Sequence, residues 1–279
     1  MTMITRKRLL AIFAHPDDET FGAGSTLAHY ARLGVDVSLV CATRGEVGEI
    51  APGVDATRDT LGQVREQELR AALKILGVKS LTLLGYRDSG MAGTDDNKNP
   101  LAFINAPESE VLKRLVDIIR HKRPHVLMTT DLNGGYGHPD HIFAARMSTS
   151  ACHLAGDASF PTSGKARPWA AKRLYYHTFP RSMLVKWMES ERQSDPKSDM
   201  AAIDPGKLGT ADEDITAILD VSAQMDKRLL ASAQHRSQAS PFGSLPQDVV
   251  RQFISRDYFQ RVSPPWQGGP LETDLFDGI

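Results

Sequence analysis

Leu9-Leu10-Ala11-Ile12-Phe13-Ala14-His15-Pro16-Asp17-Asp18-Glu19 is the stretch from which the rest of the chain is read. An apolar run bounded by a turn signal reads as a buried strand, and Pro16 forces the chain out of it where ionisable side chains are presented. A second cluster of the same composition, Tyr136-Gly137-His138-Pro139-Asp140-His141, follows the apolar run from His125 to Asp131 and opens another helical segment. Two His/Asp clusters at two strand ends suggest one metal site assembled from both.

Working outward, a strand from Arg8 to Ala14, a helix over Thr20–Leu33 and the β-branched run Val35 to Val40 make a βαβ unit, hence a parallel sheet. Thr43 to Asp55 is a Gly-rich acidic loop placed to overhang a pocket. Apolar spacing from Arg58 to Leu76 gives a helix stopped by Gly77, and Leu81 to Leu84 a third strand. Gly85 to Ala106 reads as a long structureless loop covering the substrate. A helix opens at Pro107 and is stopped by Pro124, the fourth strand is Val126 to Thr130, and a helix spans Asp140 to Leu154. Further on come a strand at Arg173–Phe179, a helix at Met183–Glu191 and a flexible excursion at Gln193–Asp214. A short strand at Ile215–Leu219 and a helix at Val221–His235, with Met225, Leu229 and Leu230 inward, follow.

The pattern predicts an α/β, Rossmann-like fold: an open, mostly parallel sheet with helices on both faces and a smaller irregular C-terminal portion. Residues 1–279 are read as one domain, with 1–180 as its core and 181–279 completing the pocket. In the strand order 3-2-1-4-5, strands one and four are neighbours whose helices leave on opposite faces, opening a crevice at their carboxyl ends. Both His/Asp clusters fall there.

Composition narrows the function. With 33 basic and 34 acidic residues and a net charge of -1, nothing supports binding to nucleic acid or an anionic membrane, so a small-molecule partner is expected. No apolar run is long enough to cross a membrane. Cys41 and Cys152 lack metal or redox spacing and read as buried thiols of a cytoplasmic protein. Met1 to Thr5 resembles a cloning-vector leader and is left out of the fold argument. A homo-oligomer is not indicated.

Zinc in a hydrolytic site takes three protein ligands and leaves a position for water. His15, one of the two adjacent aspartates and His141 meet that count. The other aspartate would face the metal-bound water as general base and return the proton to the departing amine. His138 is placed to stabilise an oxyanion, Asp140 to orient it or keep it protonated, and Tyr136 to add a donor. Iron or another divalent ion would suit the same ligands.

The motifs A-H-P-D-D-E, G-E-V-G-E, R-E-x-E-L, Y-R-D-S-G-M, Y-G-H-P-D-H and H-R-S-Q together resemble the LmbE-like, or PIG-L, family of zinc-dependent de-N-acetylases. Y-R-D-S-G-M and F-I-N-A are most similar to its branch acting on N-acetylglucosaminyl-inositol and to the related mycothiol conjugate amidases. The resemblance implies that His15, Asp18 and His141 bind one Zn2+, that Asp17 is the acid/base, and that His138 with Asp140 serves the oxyanion. It also implies that Tyr136 is a mobile tyrosine over the site and that Arg65, Asp88 and Met91 contact the sugar. The implied reaction is hydrolysis of an N-acetyl group from an N-acetylglucosamine-containing small molecule, giving acetate and a free amine.

Blander readings stand beside these. Either cluster alone would be a turn with a helix-capping aspartate, and Arg65, Glu66 and Glu68 would be a solvated helix face. Glu46 and Glu49 read as loop polars, and His29, His121, His125, His153, His177 and His235 as surface or satisfied core histidines. A nucleotide-binding Rossmann protein would need G-x-G-x-x-G after the first strand; H-P-D-D-E stands there, and Gly22-Ala23-Gly24 lacks the third glycine. The same pocket would also suit an amidase acting on a larger mycothiol-like conjugate, or a non-catalytic carbohydrate-binding protein.

Overall fold

The structure, a computed structural model, describes residues 6–194, 206, 208–240 and 246–279. Its strands are β1 Arg8–Phe13, β2 Asp36–Cys41, β3 Ser80–Leu83, β4 Val126–Thr130, β5 Arg173–Thr178, β6 Ala217–Asp220 and β7 Arg256–Ser263. They form one seven-stranded sheet in the order β3-β2-β1-β4-β5-β7-β6. The first five are parallel, and β7 runs antiparallel between β5 and β6.

Residue alternation along β1 decides which helices cover which face. Leu9, Ala11 and Phe13 join one core with Leu27 and Ala28 of α2 (Gly24–Arg32) and Leu69, Ala72 and Leu76 of α3 (Leu61–Leu76). Leu10, Ile12 and Ala14 join the other, against Leu115 and Ile119 of α4 (Glu108–Lys122) and Phe143, Ala144 and Met147 of α6 (Pro139–Leu154). Because successive strand side chains point to opposite faces, an apolar run without alternation is what a doubly covered strand requires. The helices following β1 and β4 therefore lie on opposite faces, and the crevice opens between Phe13 and Thr130.

Several elements differ from the expectation. The helix expected over Thr20–Leu33 is broken into α1 (Asp18–Phe21) and α2. At the break a Cβ on Gly22 would sit 2.7 Å from the Asp18 carbonyl oxygen. The segment 85–106 is not structureless: 3-10 turns at Asp95–Lys98 and Phe103–Asn105 fold it back, and Phe103 stacks on Tyr86 in the core. Leu230 is exposed; α8 (Met225–Ser232) instead buries Arg228 and Ala231, because Arg228 pairs with Asp257 of β7 at 3.0 Å. Of the excursion expected at 193–214, residues 195–205 and 207 lie outside the described residues, as do 1–5; α7 (Arg181–Ser194) and a 3-10 turn at Asp212–Asp214 flank it. A helix α9 (Gln247–Ile254) leads into β7. Among the described residues no helix is long and apolar enough to cross a membrane.

Candidate active site

The turn after β1 is tied by its own side chains. Asp18 Oδ2 accepts the Ala14 and His15 peptide N–H groups at 3.1 and 2.8 Å, which leaves Oδ1 facing His141 Nε2 at 3.2 Å. His141 is delivered by α6, which follows α5 (Gly134–Gly137) and opens with Pro139 at its first position. His15 Nδ1 lies 3.0 Å from His141 Nε2 and 3.9 Å from Asp18 Oδ2. Ligand atoms about 2.0–2.1 Å from a tetrahedral zinc stand about 3.3 Å apart. His15 Nδ1 and Asp18 Oδ1 stand 3.0 and 3.2 Å from His141 Nε2, close to that spacing, and the other Asp18 oxygen lies 3.9 Å from His15 Nδ1, so the three side chains converge closely enough to share one small cation after adjustment.

The outer nitrogens support that division. His15 Nε2 faces Asp140 Oδ2 at 3.2 Å and Asp88 Oδ1 at 3.4 Å, and His141 Nδ1 faces the Gly134 carbonyl oxygen at 3.2 Å. A proton on each outer nitrogen leaves the inner one free to ligate, the arrangement usual around metal-bound imidazoles. His15, Asp88 and Asp140 also cluster closely enough to hold an ion, as do His15, His138 and His141. The Asp140 oxygens, however, already accept the Ser89 N–H at 2.9 Å and the Ser89 hydroxyl, and Asp88 accepts the Gly90 N–H at 2.9 Å. These two carboxylates are thereby better placed to hold His15 than to ligate. Burial alone would lower the His15 pKa, but Asp88, Asp140 and Asp18 raise it well above its ordinary value. Asp18, which burial would raise, is lowered by His141 and His15.

Asp17 stands beside this triangle without sharing it. Its backbone is left-handed, φ 108° and ψ −29°, a conformation that costs a non-glycine residue about 1–3 kcal/mol. Arg65 Nη2 donates to Asp17 Oδ2 at 2.9 Å and to the Pro16 carbonyl at 2.6 Å, and Nη1 donates to the Gly45 carbonyl at 2.8 Å. Arg65 reaches there because Gly45 carries no side chain: a Cβ would lie 2.1 Å from Nη1. Burial raises the Asp17 carboxyl to about 6, against the pull of Arg65 and with repulsion from Asp18.

His138 caps α6, its Nδ1 accepting the Asp140 N–H at 3.2 Å. Burial, with His15 and His141 adding, pushes it down to about 2, so it is neutral and carries its proton on Nε2. Asp140 meets His138 through its backbone N–H, which holds the ring at Nδ1, while the Asp140 carboxylate bonds Ser89 and His15. Tyr136, 41% exposed, stacks edge-on to His141 with ring centroids 5.3 Å apart and is flanked by Gly135 and Gly137 at φ 69° and 95°.

A cavity of about 550 Å³ opens onto Asp17, Asp18, Tyr136 and His141 and is otherwise largely apolar, with Phe179, Trp187 and Phe253 among its walls. Arg65, Asp88 and Met91 do not line it. Arg65 and Asp88 are buried behind Asp17 and His15, where their hydrogen bonds hold them, and Met91 is 44% exposed at the tip of its loop. Four side chains near the centre are ones the sequence does not single out. Ser89 and Glu19 sit inside the quoted motifs, beside residues with more obvious chemistry. His235 pairs with Glu19 at 2.7 Å, and the buried His177 lines the cavity. Neither histidine has a local spacing that would mark it; His235 only opens the H-R-S-Q motif.

The family described as PIG-L, GlcNAc-PI de-N-acetylase, matches residues 10–152. The 1D-myo-inositol 2-acetamido-2-deoxy-alpha-D-glucopyranoside deacetylase of Thermomonospora curvata is 37% identical over 295 residues, covering 99% of this chain and 98% of that one. The N,N'-diacetylchitobiose deacetylase of Pyrococcus horikoshii shares the fold with a TM-score of 0.67 at 20% identity, covering 99% of this chain and 90% of that one. A 4-carboxy-2-hydroxymuconate hydratase from Pseudomonas putida does so with a TM-score of 0.62 at 18% identity, covering 95% and 99%. The fold alone therefore does not fix the reaction.

Proposed function

The chain belongs to the PIG-L family of de-N-acetylases, and from that premise we propose that it hydrolyses the N-acetyl group of an N-acetylglucosamine conjugate, giving acetate and a free amine. Deacetylases of this family are metal-dependent. The observation that carries the reading for this chain is the convergence of His15 Nδ1 and Asp18 Oδ1 on His141 Nε2, beside the uncommitted face of Asp17, at the wall of a cavity lined by Asp17, Asp18 and His141. Zinc is our choice of ion, and the inositol glycoside named for the curated relatives our choice of substrate.

When bound, the cation supplies Lewis acidity, polarising the amide carbonyl and acidifying a water. His15, Asp18 and His141 would hold it, with Asp140, Asp88 and the Gly134 carbonyl fixing the imidazoles. Asp17, ionised above about pH 6, takes the proton of the attacking water and later delivers it to the amine nitrogen as the C–N bond breaks. His138, a neutral imidazole, donates a hydrogen bond from its Nε2–H to the oxyanion without losing the proton, and the Tyr136 hydroxyl, swung on its flanking glycines, adds a second donor.

The test is amine release from free N-acetylglucosamine, its inositol glycoside and a larger thiol conjugate, before and after chelation and metal restoration. Zinc-restored turnover of the inositol glycoside supports the reading. Preference for the thiol conjugate amide moves it to an amidase, and turnover that survives chelation removes the metal centre.

A further inference from the structure

Glu19 is a buried carboxylate that neither the proposed ligand set nor the proposed proton transfer uses. It lies in the first turn of α1 with both oxygens committed: Oε2 accepts the Asp17 peptide N–H at 2.9 Å, and Oε1 meets His235 Nε2 at 2.7 Å. Both side chains are fully buried, so no solvent competes for these bonds. His235 follows α8, and its position is fixed from two sides. Its ring stands edge-on to Phe21 at 6.0 Å, and two residues later Ser237 binds Glu68 of α3 through N–H and hydroxyl at 2.9 and 2.6 Å.

The same helix α3 carries Arg65, which holds the Asp17 carboxylate. Asp17 is thus gripped at both ends, its side chain by Arg65 and its amide by Glu19. Of the two non-glycine residues with positive φ among those described, it is the one in the site. A left-handed aspartate relaxes to the ordinary region unless its surroundings over-determine it. An ion pair serving only to neutralise a buried charge would have no need to end on that amide.

We propose that Glu19 and His235 are positioning residues for the hydrolysis, clamping the Asp17 amide so that its carboxylate stays turned to the cavity. This rests on the reading of Asp17 as the proton-transfer group, and a misplacement near 1 Å in such a group costs on the order of 100-fold in rate.

The test uses the full-length, metal-loaded protein. His235→Ala is expected to lower kcat about 100-fold with KM and bound metal unchanged, and His235→Gln, whose amide can still donate to Glu19, to recover most of it. In an Asp17→Asn background His235→Ala costs nothing further, because the group it positions has been neutralised. Amide exchange reads the clamp without turnover: the Asp17 N–H exchanges at least about tenfold faster in His235→Ala, while the Phe21 and Gly22 amides, bonded to the Asp17 and Asp18 carbonyls, keep their protection. Should His235→Ala not fold, the near-isosteric Glu19→Gln shows the same pattern in weaker form. Equal losses in both backgrounds, or unchanged exchange at Asp17, overturn the proposal. A wild-type protein that deacetylates nothing overturns the functional reading instead, and exchange still decides the clamp.

Discussion

Replacing Asp17 by Asn should move activity and stability in opposite directions. Asn keeps the shape, tolerates positive φ and can still accept from Arg65, so the change is confined to charge and proton transfer. A carboxyl near 6 is about ten parts ionised to one protonated at about pH 7, with the ratio reversed at about pH 5. kcat/KM of the wild type should therefore fall about tenfold per unit on the acid side. A bound cation lowers that limb from the value set by burial and the Asp18 charge. Loss of a general base costs about 10²–10⁴-fold, or about 2.7–5.4 kcal/mol of barrier at 1.36 kcal/mol per decade.

Stability follows from the same displacement. The folded carboxyl lies about two units above its unfolded value, so protonation favours the folded state; this contribution is complete below about pH 4 and lost as pH rises through about 6. At neutral pH the ionised carboxylate thus costs the metal-free protein up to roughly 3 kcal/mol, which Asn removes. Urea titrations of both metal-free proteins at about pH 7 and pH 4, beside initial rates and metal content, make the comparison. An Asn variant within threefold of wild-type rate at full metal loading, an acid limb above about pH 6, or a variant less stable than wild type at neutral pH would refute the reasoning.

His138→Ala should retain its metal and lose about 10²–10³-fold in kcat, checked by rates and metal analysis; unchanged turnover would remove it from the oxyanion role. Ser89→Ala strips the hydroxyl donor from Asp140, which holds His15, while the backbone N–H donor stays, and should weaken metal binding about tenfold in competition with a chelator. Gly45→Ala places a methyl 2.1 Å from Arg65 Nη1 at φ 64°, and should cost about 1–3 kcal/mol by denaturant melt and lower turnover by displacing Arg65 from Asp17.

The sheet and the two clusters are legible in the sequence because their signals are local. Leu9 to Ala14 has no polar alternation, so it has to be covered on both faces, and strand order then brings His15 to His141. What escapes depends on partners distant in sequence. β7 reads as polar because Asp257 and Arg261 interrupt it, yet Asp257 is buried with Arg228 and Thr26 as partners. His235 looks like any histidine until Glu19, 216 positions away, is set beside it. Arg65 falls on the expected helix, but whether its guanidinium faces the cavity or the back of Asp17 is decided by the two carbonyls that receive it. Leu230 matches the inward period of α8, and the Arg228–Asp257 pair turns that helix the other way.

The placement of β7 also governs the order in which the protein can be made. It follows every other strand in sequence yet sits inside the sheet, supplying the partner for the free edges of both β5 and β6. On the ribosome, β1 to β5 can assemble as they emerge, including the strand ends that carry both histidine clusters. β5 then waits with an open edge while the next seventy-odd residues are synthesised, several seconds at about 5–20 residues per second. An unpaired edge is an invitation to neighbouring chains. Nascent protein stalled before Arg256 should therefore be the form that chaperones hold, and chains cut short of β7 should accumulate as aggregates with their first five strands already paired.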